Sequence, residues 1–245
     1  MNLTIDIGNT RAKTACFEKE RLVGWRSWEK WTAKELCAWA TNQNARNVIL
    51  STVGERTDSA LLECLQGFPS FLELDADTPV PVINRYRTPE TLGKDRLAAV
   101  VGARQQFPNA NCLVIDAGTC ITYDLLTAEG VYPGGNIAPG VAMRLRAMHA
   151  FTARLPELSV AAGDEGWLGD STESAMRRGA QMGAALEIEG YIGLCRRRLG
   201  QINVILTGGD ADFLAKKLKS KIFVNHHLVL RGLNKILNYN VEGLE

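Results

Sequence analysis

The segment Asp6-Ile7-Gly8-Asn9-Thr10-Arg11-Ala12-Lys13 gathers a carboxylate, a glycine, two small polar side chains and two cations at the end of an apolar run. That set suits a polyphosphate held together with a metal. Gly8 lets the backbone turn tightly and approach a ligand. Amide and hydroxyl groups at Asn9 and Thr10 can face phosphate oxygens, as in an anion-binding nest. Lys13 adds a point charge. Asp6 can hold Mg²⁺ through water, because Mg²⁺ keeps several waters and takes few carboxylates. The alternative is a β-hairpin whose Gly-Asn pair only makes the turn. A second segment, Asp116-Ala117-Gly118-Thr119-Cys120-Ile121-Thr122 with Asp124 beyond it, repeats the Asp-x-Gly pattern. There Thr119 is placed to touch phosphate and Asp116 to touch a cation, with a plain hairpin again the alternative.

Three further segments carry polar groups at glycine-rich junctions. Gly93-Lys94-Asp95-Arg96 leads into the apolar run 97–103. A carboxylate at such a junction can be only an N-cap with a dipole partner. It can also be a general base that receives the proton of a substrate hydroxyl, in which case it mainly orients the nucleophile in a loose phosphoryl-transfer transition state. The run 134–140 (GGNIAPG) reads as a loop before a helix, and Thr207-Gly208-Gly209-Asp210 as a strand-to-helix corner open to adenosine. No G-x-x-x-x-G-K-[ST] is present, which excludes a P-loop kinase. The HRD and DFG set of protein kinases is missing too.

These segments need elements to carry them, and the chain repeats itself in supplying them. LTIDIG at 3–8 and LVIDAG at 113–118 match at an offset of 110, and NVILS at 47–51 then matches NVILT at 203–207. Two matches in the same order suggest duplicated halves, placed at 1–112 and 113–245. Each half opens with an apolar strand, a Gly turn and a second strand, at 13–18 and at 121–126, and a third strand is expected near 22–28. Helices are expected at 32–41, 56–66, 94–106, 139–150, 172–198 and 210–219. The stretch 75–93, with Pro79, Pro81 and Pro89, reads as loop and extended chain. The mixture predicts an α/β protein.

Composition removes other classes. The 245 residues hold 28 Lys+Arg against 27 Asp+Glu, a net charge of +1, so no basic excess points to nucleic acid. No run approaches the ~18 apolar residues of a bilayer helix, and Asp6 interrupts the start where a signal peptide would turn apolar. The six cysteines show no CxxC pair or metal spacing, so reduced thiols of a cytoplasmic protein are expected. Trp25, Trp28 and Trp31 read as core or interface. Arg196–Arg198 and the lysines at 216–221 read as charges near helix ends.

In this order the segments resemble those of type III pantothenate kinase, a family in the superfamily of actin, sugar kinases, acetate kinase and chaperone ATPases. The resemblance covers nearly the whole chain: 6–13, Tyr86, 93–96, 116–124, 134–140, TESAMRRG at 172–179 and 207–210. Cys120 departs from it, where the family commonly has Ala. The resemblance implies two duplicated ribonuclease H-like (actin-like ATPase) domains, each a mixed β-sheet flanked by helices, with the active site in the interdomain cleft. It also implies ATP-dependent phosphorylation of the primary hydroxyl of pantothenate, with Mg²⁺ and an activating monovalent cation, K⁺ or NH₄⁺. Carried over residue by residue, it assigns Asp6, Ile7, Gly8, Asn9, Thr10, Arg11, Ala12, Lys13 and Thr119 to ATP. It assigns Tyr86, Gly93, Lys94, Asp95, Arg96 and Thr172 to pantothenate, Asp95 to proton acceptance and Asp116 to the monovalent cation. A cytoplasmic homodimer is implied, with 172–198 at its contact. Another small-molecule kinase of the same fold and a non-catalytic regulatory relative are the alternatives.

Overall fold

Apolar residues alternate with polar ones along Asn2–Ile7 (β1), yet all six are buried, so both faces of this strand must be covered. The computed structural model, which describes residues 1–53, 58–160 and 166–242, shows what covers them. After β1 come Ala12–Glu18 (β2), Arg21–Trp28 (β3), Ala33–Thr41 (α1), Asn47–Thr52 (β4), Ser59–Gln66 (α2), Ser70–Glu73 (β5), Ile83–Asn84 (β6) and Lys94–Gln106 (α3). The second run is Cys112–Ala117 (β7), Cys120–Leu126 (β8), Val131–Tyr132 (β9), Gly134–Pro139 (β10), Val141–Ala150 (α4) and Thr172–Leu199 (α5). Asn203–Thr207 (β11), Ala211–Ala215 (α6), Phe223–Val224 (β12) and Leu228–Glu242 (α7) complete it.

The chain divides into two compact units, one of 1–109, 126–133 and 227–245, the other of 110–125 and 134–226. The sheet of the first has the order β3-β2-β1-β4-β5 and that of the second β10-β8-β7-β11-β12. In the first sheet the strand carrying Asp-x-Gly runs antiparallel to β2 and parallel to the NVIL strand, and in the second it lies beside β8 and runs parallel to its NVIL strand. The sheets therefore agree in order, strand for strand, which is the duplication the repeats suggested. Chain order and unit do not coincide throughout. Segment 126–133 and α7 belong to the first unit rather than the second.

In the first unit, Leu3, Ile5 and Ile7 face Leu36 and Ala40 of α1 and Leu61 and Leu65 of α2. Thr32 and Glu35 close a capping box on α1, and Asp58 caps α2 through the Ala60 and Leu61 amides. The other face of β1 carries Asn2, Thr4 and Asp6, and α7 lies over it. The Asn2 amide donates to Asn234 Oδ1 at 2.9 Å and the Asn47 amide donates to Asn2 Oδ1 at 2.9 Å. Paired in this way, buried amides are tolerated and pin α7 in register with the strands. Packing between α3 and α7 passes through two glycines. A Cβ on Gly232 would stand 1.7 Å from the Ala98 carbonyl oxygen, and one on Gly102 would stand 2.5 Å from that of Leu228.

In the second unit, Leu113, Ile115, Ile121 and Tyr123 pack against Val141 and Leu145 of α4 and Ala180, Ala184 and Ile188 of α5. Small residues on α5 permit this close contact. Ser171 caps the helix, and Arg196, Arg197 and Arg198 fill its last turn, where positive charge complements the dipole.

Several expectations shift. Residues 134–139, expected as loop, form β10 because pairing with β8 overrides the poor strand propensity of Gly and Pro; Pro139 sits at the edge, where a missing donor costs little. The helix expected at 139–150 begins at Val141, and that expected at 210–219 is confined to Ala211–Ala215. Residues 56–57 of the helix expected at 56–66 lie outside the described residues, and α2 starts at Ser59. β5, β12 and α7 were not anticipated. Cys37 and Cys64, expected as free thiols, form a disulfide between α1 and α2. Adjacent helices brought them together across a separation of 27 residues, a spacing with no local signature. Trp28 lies in the core, whereas Trp25 is exposed beside His227.

The glycine crossing makes a firm prediction. Gly232→Ala should force α7 away from α3 and lower the Tm by about 4–10 °C, as expected for overpacking in a chain of this size. An unchanged thermal transition, followed by circular dichroism, would contradict the close approach.

Candidate active site

Strand register assembles the first polar group. Asp6 stands opposite Lys13 on β2 and opposite Ser51 on β4, and directly paired residues share a face of the sheet. Ser51 Oγ donates to Asp6 Oδ1 at 3.1 Å. Asp6 is only 9% exposed and Ser51 fully buried. The turn joining the strands is closed by the Gly8 amide, which donates to the Arg11 carbonyl at 3.1 Å. Ile7 and Ala12 anchor it in the core, leaving Asn9, Thr10 and Arg11 exposed. The hairpin turn thus presents Asn9, Thr10 and Arg11 at an exposed tip. Among the described residues no three His, Cys, Asp or Glu groups cluster as a metal site. One buried carboxylate beside a hydroxyl and a lysine fits Mg²⁺ that arrives with phosphate oxygens and keeps its waters.

A second group sits at the start of α3. Gly93 precedes the helix, and Lys94, Asp95 and Arg96 form its first turn. Asp95 Oδ1 accepts the Arg96 backbone amide at 2.8 Å, the polarity that a helix N-terminus favours. Arg96 is 5% exposed, and its guanidinium carbon lies 5.5 Å from the ring centroid of Tyr86. Tyr86 in turn stacks on buried Tyr132 at 6.2 Å and 15°. Tyr132 reaches this place because β9 pairs with β6: the Arg85 amide donates to the Tyr132 carbonyl and the Ile83 amide to that of Gly130. Arg104, nearer the end of the same helix, holds the segment by donating to the Ala128 carbonyl at 2.7 Å. Asp75 is held below the usual carboxylate range, first by the Thr78 hydroxyl and in smaller part by the charge of Lys94.

The second unit repeats the first arrangement with a different corner. Asp116 stands opposite Thr207 on β11. Its turn is closed by the Gly118 amide, which donates to the Cys120 carbonyl at 2.9 Å, so Cys120 is accommodated without disturbing it. Thr119 is exposed, and its carbonyl accepts the Gly140 amide at 3.1 Å. The corner after β11 presses on the end of β7. Gly208 has φ +97°, and a Cβ there would stand 2.2 Å from the Ala117 carbonyl oxygen and 2.5 Å from Asp116 Oδ1. Only glycine meets both demands. The Asp210 amide donates to the Ala117 carbonyl at 2.9 Å, which locks the corner. Thr172 is exposed at the first position of α5, beside the Ser171–Ser174 capping box.

The structure therefore joins Asp6 with Lys13, joins Tyr86 with Arg96 and Asp95, and sets Gly208 against Asp116. Ser51, Thr207 and Tyr132 were not singled out from sequence. The hydroxyls were in view as the last letters of NVILS and NVILT, but only register shows whom they face. Tyr132 gave no local signal.

Chemically, these groups offer an exposed polar turn beside the buried carboxylate of Asp6, a second carboxylate at Asp116, and a helix-terminal carboxylate beside a buried guanidinium. A family model for type III pantothenate kinase matches residues 2–193. The type III pantothenate kinase of Bacteroides fragilis is 48% identical over 98% of both chains, and that of Phocaeicola vulgatus 44% identical over 98% of this chain and 99% of its own. Two solved structures share the fold. One is the activator of 2-hydroxyisocaproyl-CoA dehydratase from Clostridium difficile with bound ADPNP, at TM-score 0.56, 13% identity and coverage of 99% and 94%. The other is the ROK hexokinase of Thermus thermophilus, at TM-score 0.52, 15% identity and coverage of 98% and 99%. With nearly its full length matched at such identity, the chain belongs to the type III pantothenate kinase family.

Proposed function

We propose that this chain transfers the γ-phosphoryl group of ATP to the primary hydroxyl of pantothenate, giving 4'-phosphopantothenate and ADP at the first step toward coenzyme A. The observation that carries this reading is near-full-length identity to named type III pantothenate kinases, in a chain whose acidic, basic and aromatic groups suit such a transfer. In our reading residues 6–13 and Thr119 contact the phosphates. Mg²⁺, bound with ATP and held through water by Asp6, would neutralise charge on the transferring group. Asp116 would bind the monovalent cation, K⁺ or NH₄⁺. Tyr86, Gly93, Lys94, Asp95, Arg96 and Thr172 would contact pantothenate.

Asp95 is the proposed proton acceptor. An alcohol with a pKa far above 7 is not deprotonated by a carboxylate in the ground state, so Asp95 acts late, holding the hydroxyl in line and taking its proton as the O–P bond forms. Most of the rate then comes from alignment and charge neutralisation. Arg96 is the proposed partner of the pantothenate carboxylate, since a guanidinium matches a carboxylate with two parallel donors. Its seat against the Tyr86–Tyr132 stack supports a fixed orientation.

We assign the protein to the cytoplasm; among the described residues no helix is long and apolar enough to cross a membrane. A homodimer formed through α5 is part of the same reading. Leu186, Gly190 and Leu194 recur every four residues on its exposed side, with Leu186 64% exposed, a stripe that supports helix contact.

Asp95→Asn should lower kcat by about 10²–10⁴-fold while nucleotide affinity is kept; an unchanged kcat would remove Asp95 as the base. Asp116→Ala should abolish the response of turnover to K⁺, and an undiminished response would send the cation elsewhere. Arg96→Ala should raise the KM for pantothenate by at least about tenfold, in line with loss of a hydrogen bond to a charged group. The uncharged analogue pantetheine should be far less affected, and equal losses for both would defeat the carboxylate pairing.

A further inference from the structure

NVILS and NVILT close the same strand of two sheets with the same strand order. Each carries a three-residue apolar run: Val48, Ile49 and Leu50 are fully buried in one, and Ile205 and Leu206 in the other. Each then ends on a buried hydroxyl, Ser51 at 0% and Thr207 at 1% exposure. Register puts Ser51 opposite Asp6 and Thr207 opposite Asp116. The hydroxyl that follows each apolar run therefore neighbours the one acid on the Asp-x-Gly strand beside it. In the first unit the contact is made, Ser51 Oγ donating to Asp6 Oδ1 at 3.1 Å.

A hydroxyl that only filled space would be better replaced by Ala or Val within such strands. A hydroxyl that donates to a carboxylate does something else: it fixes the rotamer of the acid. A carboxylate has about four acceptor sites, so one such bond leaves it able to receive a metal-bound water. Groups that orient a metal-binding side chain in this manner commonly govern metal affinity.

We propose that Ser51 and Thr207 are a duplicated pair of positioning residues, Ser51 aiming Asp6 at the water shell of nucleotide-bound Mg²⁺ and Thr207 aiming Asp116 at the monovalent cation. The proposal rests on the roles given to Asp6 and Asp116 above. Neither hydroxyl touches the reacting atoms. Each acts through the acid beside it, and the duplication explains why both halves need one.

The test uses calorimetric titration of a non-hydrolysable ATP analogue, with and without Mg²⁺, on the full-length chain. Ser51→Ala should reduce the Mg²⁺-dependent gain in affinity by about 10–100-fold and leave Mg²⁺-free binding unchanged. Ser51→Thr, which imports the residue of the other half, should restore it. Ser51→Cys keeps the volume and weakens the donor, and it carries the same comparison if the Ala chain does not fold. Thr207→Val should raise the K⁺ concentration needed for half-activation, and for half of any K⁺-induced rise in Tm, by at least about tenfold. Thr207→Ser should reverse this, and the KM for pantothenate should stay put. A folded Ser51→Ala chain with an unmoved Mg²⁺ response, or a Thr207→Val chain with an unmoved K⁺ response, would overturn the proposal, as would a fall in Tm as the only effect. Wild-type turnover of pantothenate is measured alongside. Its absence would defeat the reaction itself, whereas normal turnover with an unmoved Mg²⁺ response defeats only the hydroxyl role.

Discussion

Asp6 is a carboxylate drawn almost wholly out of water at the end of an apolar strand, and such a group is costly unless it is paired and hydrogen-bonded. Its neighbours come from the strands on either side: Lys13 stands opposite it on the antiparallel strand, and Ser51, on the parallel one, donates to it. That row exists only if three strands are in the correct register. A slip of one residue would turn Asp6 into the apolar core and Ile5 or Ile7 out of it. Folding of the first sheet and assembly of its polar site are thus one event, enforced by the apolar side of the same strand.

The remaining elements cover the face of that sheet that carries Asn2, Thr4 and Asp6, and place α3. Asn2, Asn47 and Asn234 satisfy one another beneath α7, and Gly232 lets α7 approach α3 until backbone meets backbone. The first turn of α3 carries Asp95 and Arg96, while Arg104, one helix-length away, holds the segment that brings Tyr132 under Tyr86. A single rigid helix therefore positions the carboxylate, the guanidinium and, through its far end, the aromatic seat on which the guanidinium rests. In the second unit Gly208 does for Asp116 what strand neighbours do for Asp6, closing the corner against the carboxylate.

Much of this was legible in the residues. Apolar runs ending in Asp-x-Gly marked β1 and β7, and the NVIL repeat marked β4 and β11, because a buried strand needs a continuous apolar string and a turn needs a glycine. GKDR marked the start of α3 through its charge pattern. Other features had no local signal. β10 is poor in strand formers and exists because β8 offers a partner. α7 was legible in principle, since Leu230, Leu233 and Leu237 fall on one helical face, but the glycine and asparagines among them obscure it. The Cys37–Cys64 pairing, Tyr132 under Tyr86 and the hydroxyls facing the two acids are all products of tertiary register. Residue types could nominate them; only neighbouring strands and helices could pair them.

The central claim is that the acceptor is the hydroxyl of pantothenate. Mass spectrometry and ³¹P nuclear magnetic resonance of a reaction containing ATP, Mg²⁺, K⁺ and pantothenate test it most directly, with a panel of sugars in parallel. The account predicts one equivalent of 4'-phosphopantothenate for each ADP formed, with the sugars unmodified. Phosphorylation of a sugar while pantothenate stays untouched would contradict it.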